Sequence, residues 1–446
     1  MIKNRLFLFI LFSFVLKLFL ARWIPLSADE AYYWVWSQHL QWSYFDHPAM
    51  IAWIFSVANK LSFSQELIRL PGLMFSYLGF FFWYKSFRRY LNQDQLFYWS
   101  VLYLVSPLTG IGGFLHTPDL PLMVFYGSSF YFLTQILSRQ KAIDYLGLGI
   151  SLGLGFSSKY HIVLFVLCAV ILLTVTKQWV AIRWKYVPLV LMTGFLGSFP
   201  VLYWNLQNHF ESFHFQLQHG LGNKSWKPFW TLSYFPGQLL AVFPSYVYFS
   251  FFSEKNSKTK TLLCFAWVPL IFFFLTSFRG HVEVNWPIIA YPFIYALAVL
   301  GLEKKFTYIS KRFAGWFWSP VIVWMGIILA LLLNSFFHFL PKSKLSEPFY
   351  FRPLISVFDR YEHLYASTYQ MASYLWFYRQ APVYKLESMS RFDFYDTLPE
   401  ARPEKLPFYI LMDQASELCP PWNEKEYSKE VIEQIGKNFY VLKVSK

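Results

Sequence analysis

Ser27-Ala28-Asp29-Glu30-Ala31-Tyr32-Tyr33, with Tyr44-Phe45-Asp46-His47-Pro48 close behind, stands between an apolar run at 6–24 and the next at 67–84. An acidic pair at the mouth of a first membrane span is expensive to place in lipid and marks a functional loop by default. Ser27 and Glu30 have the spacing of a capping box, Ser at the N-cap and Glu three residues on, worth about 1 kcal/mol to a helix. That accounts for Ser27 and Glu30 and leaves Asp29 without a structural duty. The stretch therefore predicts a polytopic helical membrane protein whose chemistry is confined to short loops.

The rest of the chain agrees. Of 446 residues, 56% are hydrophobic and 23% aromatic, and only 14% are charged, against about 25% charged in a soluble protein. Mean hydropathy is +0.34. The net charge of +14 does not indicate nucleic acid, because Lys and Arg cluster in short segments between apolar runs and no nucleic-acid-binding motif accompanies them. Cys168, Cys264 and Cys419 have neither a disulfide framework nor metal-ligand spacing.

Runs long enough to cross a bilayer, about 20 residues, fall near 6–24, 67–84, 95–115, 120–137, 143–157, 161–176, 187–204, 231–252, 261–278, 286–302 and 316–340, about eleven spans. The glycines of 143–157 (Gly147, Gly149, Gly153, Gly155) suit close helix approach. Lys17 lies within reach of one end of its span. Cation-rich loops (Lys3 and Arg5; Lys85, Arg88 and Arg89; Arg139 and Lys141; Lys304 and Lys305) alternate with cation-poor ones. This places the N-terminus in the cytoplasm and the tail outside the inner membrane. From 343 the charges and prolines return, which divides the chain into a transmembrane domain, 1–342, and a small α/β extracytoplasmic domain, 343–446. In the latter, Pro407–Met412 and Phe439–Val444 read as strands, and Tyr369–Tyr378 and Glu424–Ile435 as helices.

The remaining informative polar residues also fall in loops assigned to the outer face. They are His116-Thr117-Pro118-Asp119, Ser158-Lys159-Tyr160, the segment 205–230 with His219, and Arg279-Gly280-His281-Val282-Glu283-Val284-Asn285. Singly each has a plain reading: Asp119 caps a helix, Lys159 snorkels, His219 is a surface histidine. Their convergence on one side fits a group transfer. A sugar transfer needs a base for the acceptor hydroxyl and cations for a phosphate whose charge grows as it leaves. A phosphate leaves as an anion without a proton, so one carboxylate base suffices, unlike the acid and base pair of glycoside hydrolysis.

With these residues in view, the chain resembles bacterial members of the protein mannosyltransferase superfamily, GT-C fold glycosyltransferases that include lipid A aminoarabinose transferases and core galacturonic acid transferases. The pieces that carry the resemblance are Asp29–Tyr33, Tyr44–Pro48, His116–Pro121, Ser158–Tyr160, Val282–Pro287 and Ser367–Ala372 through Phe377-Tyr378, in the expected order over nearly the whole chain. The resemblance implies inverting transfer of a sugar from a polyprenyl phosphate to a glycolipid, glycan or protein acceptor on the outer face of the membrane. It implies Asp29 as general base, with Glu30 and Asp119 as acidic partners, and His47, Lys159, Tyr160 and Arg279 around the donor phosphate. His47 stands where the aminoarabinose transferases have a lysine. His116, His281, Glu283 and Asn285 would line the cavity. Asp46 matches an acidic metal ligand whose partner histidine is best matched by His219, which implies a divalent metal ion. One carboxylate and one imidazole make half of a tetrahedral site, leaving substrate oxygens and water to complete it. Two other classes share the multi-span layout. A transporter or lipid flippase would place ionisable groups near the bilayer midplane, whereas here they gather at one surface. An O-antigen ligase would carry its chemistry in one large late loop. Neither the sugar nor the acceptor can be read from the sequence.

Overall fold

The computed structural model describes residues 2–222, 225–254, 256–306, 311–337, 347–357, 360–413, 416–436 and 438–446. The first half runs α1 (Ile2–Trp23), α2 (Ala28–Gln38), α3 (Met50–Lys60), α4 (Leu70–Phe87), α5 (Gln93–Val105), α6 (Asp119–Arg139), α7 (Ala142–Phe156), α8 (Val163–Val175) and α9 (Val187–Gln207). It continues with α10 (Glu211–Leu221), α11 (Pro228–Val242), α12 (Pro244–Ser250), α13 (Ser257–Thr276), α14 (Tyr291–Phe306), α15 (Lys311–Phe337), α16 (Glu347–Tyr350) and α17 (Tyr369–Arg379).

Among the described residues six helical stretches are long and apolar enough to cross a membrane: Asn4–Trp23, Gln65–Phe87, Asp119–Arg139, Trp184–Gln207, Ser257–Thr276 and Gly315–Phe337. Ala142–Phe156, Tyr160–Val175 and Trp286–Leu302 are apolar but shorter. Two further expected spans are interrupted. The run at 95–115 leaves the helix after Val105, two residues before Pro107. The run at 231–252 breaks where Phe243 takes φ 72° and Pro244, which has no N–H to donate, opens a new helix. The described residues thus do not confirm the expected count of about eleven spans. The glycine reading of α7 holds: a Cβ on Gly153 would lie 2.3 Å from the Gly194 carbonyl oxygen of α9, so only glycine lets the two backbones pass so closely.

The C-terminal region carries a four-stranded sheet of β1 (Leu364–Ala366), β2 (Phe408–Asp413), β3 (Ser428–Ile435) and β4 (Phe439–Ser445), in the order β1-β2-β4-β3. β1 pairs with β2 in parallel, and the other pairs are antiparallel. The expected strands at 407–412 and 439–444 and the helix at 369–378 are present. The expected helix at Glu424–Ile435 is instead edge strand β3, bulged between Val431 and Glu433. Its apolar residues fit a helical period, but Val431 is exposed and the ladder with β4 decides the conformation. The boundary placed between 342 and 343 lies outside the described residues.

The C-terminal region docks on α2. Trp34 meets Phe377 edge-on at 5.0 Å, Tyr32 meets Tyr369 at 4.5 Å, and the Leu26 N–H donates to the Tyr378 hydroxyl at 3.0 Å. Residues of α2, α3, α17, β2 and β4 share one apolar core. The loop bearing the acidic pair is therefore clamped between the helical bundle and the C-terminal sheet.

Candidate functional site

α2 begins as the sequence predicts. Ser27 accepts the Glu30 N–H at 3.2 Å, and the Glu30 carboxylate accepts the Ser27 N–H at 3.0 Å. The two neighbouring acids then part company. Glu30 is fully buried and takes both arms of Arg69, Nε to Oε1 at 2.7 Å and Nη2 to Oε2 at 2.6 Å. Arg69 also donates to the carbonyls of Ala21, Ile24 and Pro25 at the end of α1. Burial pushes the Glu30 carboxyl up, but the Arg69 guanidinium and the His116 N–H pull it below the usual range. Glu30 is a buried strut that fixes α2 against α1 and α4, out of reach of a sugar.

His116, expected in the cavity, is fully buried behind its wall. Its Nδ1 faces the Phe114 carbonyl at 3.1 Å, and its backbone N–H donates to Glu30 at 2.9 Å. Its ring presses so closely on α4 that a Cβ on Gly72 would lie 2.1 Å from Nε2. Burial lowers its pKa to about 4, against the opposing charge of Glu30. This corrects the sequence reading: the imidazole packs where a helix has left room for it.

Asp29, on the other face of the same turn, is exposed and accepts from the Tyr369 hydroxyl of the C-terminal region at 3.5 Å. Asp46 is buried, held by the Tyr32 hydroxyl at 2.7 Å and by Arg391. The Tyr44–His47 turn that presents it is closed by a hydrogen bond from the Tyr44 N–H to the His47 carbonyl and by a bridge between Ser43 and Pro48. His47 meets the Tyr33 ring edge-on at 6.3 Å. The Tyr33 phenol is raised well above its ordinary pKa, first by burial and then by the negative charge of Asp29, with Asp46 and Asp119 adding to it.

Asp119 opens α6. Its Oδ1 takes the Lys159 ammonium at 2.7 Å and its Oδ2 takes the Asn285 amide at 2.6 Å, with Asp119 and Lys159 both buried. Three loops far apart in sequence therefore meet at one carboxylate. Asp119, Asn285 and Glu283 border a cavity of about 390 Å3 that Lys17, Tyr77 and Tyr103 also line. Asp29 is not part of that lining. His281 and Glu283 pair at 3.5 Å with both side chains partly exposed. Arg279 is exposed just beyond the end of α13. Tyr160 faces elsewhere, its hydroxyl 2.6 Å from Ser212 Oγ on α10.

A metal ion finds no fit among the described residues. The carboxylate expected to bind it, Asp46, has Oδ1 on Arg391 and Oδ2 on Tyr32, and no three His, Cys, Asp or Glu side chains converge elsewhere. The side chain of the other expected ligand, His219, lies outside the described residues.

Arg391 carried no sequence signal, and Tyr369 read only as part of the Ser367–Ala372 piece, since both lie more than 300 residues from the acids they touch. The guanidinium of Arg391 sits 5.0 Å from the Tyr369 ring centroid and 5.3 Å from that of Phe215. Arg69 stands in no motif of its own, and Lys17 read only as lying within reach of one end of its span.

Residues 46–204 match the family model described as dolichyl-phosphate-mannose-protein mannosyltransferase. The chain is 25% identical over 300 residues to the lipid A galacturonosyltransferase RgtD of Rhizobium johnstonii, an alignment covering 62% of this chain and 60% of that relative's length. Its fold matches the crystal structure of ArnT from Cupriavidus metallidurans bound to undecaprenyl phosphate, with TM-score 0.70 and 15% identity over 99% of this chain and 98% of that one. The apo state of the same protein matches at TM-score 0.67 with the same identity and coverage. The architecture, a helical bundle with a small C-terminal sheet, is the GT-C fold.

Proposed function

We propose that this chain, a member of the GT-C superfamily, moves a sugar from a polyprenyl phosphate to a hydroxyl of an envelope glycolipid at the outer face of the cytoplasmic membrane, with the C-terminal sheet in the periplasm. The observation that carries this reading is the Asp119–Lys159–Asn285 contact, which brings three loops together at one cavity, with exposed Asp29 at the start of α2 reached by the Tyr369 hydroxyl. The family match over residues 46–204, which takes in Asp46, Asp119 and Lys159, and the names of the similar proteins, a lipid A galacturonosyltransferase and a protein crystallised with undecaprenyl phosphate, support the substrate classes.

In this mechanism the acceptor oxygen attacks the anomeric carbon from the face opposite the carrier. The bond from that carbon to the phosphate oxygen breaks, its electron pair leaves with the phosphate, and the acceptor proton passes to Asp29. Asp29 suits the base role because it is exposed to an incoming alcohol, whereas Glu30, Asp46 and Asp119 are buried in ion pairs. Asp119 positions Lys159, and Lys159 with His47 supplies positive charge near the departing phosphate, the kind of preorganised stabilisation that contributes most to such transfers. Arg279, at the rim, meets the carrier headgroup. Glu30 and Arg391 are positioning residues. Every step above uses only these side chains.

The test is mass spectrometry of envelope glycolipids from a strain lacking the gene, with and without the gene restored. The reading expects one glycolipid to lose the mass of a single sugar residue and to regain it on complementation. An unchanged glycolipid profile contradicts it.

A further inference from the structure

Four cationic side chains are buried among the described residues: Lys17, Arg69, Lys159 and Lys385. Three have their carboxylates. Arg69 holds Glu30, Lys159 holds Asp119, and Lys385 sits between Asp393 and Asp396. Lys17 has none among the described residues. Its ammonium lies 5.2 Å from the centroid of the Tyr77 ring, whose own hydroxyl is turned away to Ser13 at 2.8 Å.

The position is as unusual as the missing partner. Lys17 is six residues from the end of α1, which at 1.5 Å per residue is about 9 Å below that end. A snorkelling lysine would carry its amine up to headgroup water, but Lys17 is only 5% exposed and lines the same cavity as Asp119, Glu283 and Asn285. A charge kept inside a span marks a binding site by default. The remainder of the lining includes the hydroxyl residues Ser76, Thr109 and Thr117, groups suited to sugar hydroxyls. Of the two carboxylates in the lining, Asp119 is taken up by Lys159 and Glu283 faces His281, and neither is in ion-pair contact with Lys17.

We propose that Lys17 is the anion-reading residue of this cavity, receiving an oxyanion of the substrate, either a carboxylate of the sugar or an oxygen of the carrier phosphate. This rests on the glycosyl-transfer reading for the identity of the cavity's occupant, but its test needs no turnover. Purified wild type, Lys17→Gln and Lys17→Arg are titrated with two probes, undecaprenyl monophosphate and free galacturonate, with galactose as the uncharged control, and followed by thermal stabilisation. The expected result is that wild type binds at least one anionic probe and that Lys17→Gln weakens that binding tenfold or more. Lys17→Arg should stay within about threefold of wild type. Loss confined to galacturonate assigns the sugar carboxylate, and loss confined to undecaprenyl monophosphate assigns the carrier. Equal binding by wild type and Lys17→Gln, or binding of neither probe by wild type, overturns the proposal. Should Lys17→Gln fail to fold, reductive methylation of the wild-type protein gives the same answer: the anionic probe that binds should slow modification of Lys17, and an unaltered rate overturns the proposal. A protein that binds through Lys17 yet transfers no sugar would refute the functional reading while leaving this inference standing.

Discussion

Replacing Glu30 by Gln separates the two acids that stand side by side at the start of α2. Glu30 and Arg69 are almost completely dry, 0% and 1% exposed, and meet through two short contacts. Removing one member of such a pair typically costs 3–5 kcal/mol. The Gln should cost about 3 kcal/mol: its single amide oxygen can accept either the His116 N–H, now on Oε1, or the Ser27 N–H of the capping box, now on Oε2, but not both. Arg69 also keeps the Ala21, Ile24 and Pro25 carbonyls. Arg69→Met should sit at the upper end, about 5 kcal/mol, since it strands a buried carboxylate and three carbonyls together. The double variant should cost less than the sum by at least about 1 kcal/mol, the coupling expected of two groups in contact. Intrinsic tryptophan fluorescence of the detergent-solubilised protein during heating reads all three. Glu30→Gln should lower Tm by about 5 °C, whereas exposed Asp29→Asn should move it by about 1 °C or less. Wild-type stability in Glu30→Gln, or an equal loss in Asp29→Asn, would refute the division of labour between strut and base.

Two further outcomes follow from the geometry. His116 titrates near 4 when buried, against an ordinary value of 6.5, so between those values the unfolded chain binds more protons than the native one. Stability therefore falls as pH drops from 6.5 to 4, by about 3 kcal/mol if the full shift is expressed, and His116→Gln should flatten the Tm profile over that window; parallel profiles would contradict this. Arg391→Met leaves Asp46 buried with Tyr32 alone and loosens the C-terminal region from the first loop. Transfer efficiency should fall tenfold or more, and hydrogen exchange should rise in residues 44–48, with only partial rescue by Arg391→Lys, which lacks the planar fork. Unaltered exchange in that turn would rule out the positioning role.

The site was legible in the sequence to the extent that its residues lie in local motifs. Ser27 and Glu30 announce their capping box, and a helix N-terminus at Asp119 follows from Pro118 and the apolar run behind it. The difference between Asp29 and Glu30 was not legible, because it depends on Arg69, 39 residues on, and on which side of one helical turn faces the bundle. Asp46 read as a metal ligand because its local pattern has that form, whereas its actual partner is a guanidinium 345 residues away. His116 read as a cavity residue because a loop histidine beside Asp119 looks available, and only the gap left by Gly72 shows where the ring goes. The fold was more accessible than its details: apolar runs and alternating cations give the bundle, and β2, β4 and α17 follow their sequence patterns. Strand β3 was misread because Ser428–Ile435 satisfies a helical period locally and is made a strand by a partner across the sheet.

The most direct measurement of the central claim is the single-turnover rate of sugar transfer by purified Asp29→Asn, using the donor and acceptor that the glycolipid spectra identify. With Tm held at the wild-type value, the account predicts a loss of about 10²–10⁴-fold, the usual contribution of a general base, with donor binding retained. A rate within threefold of wild type would contradict it.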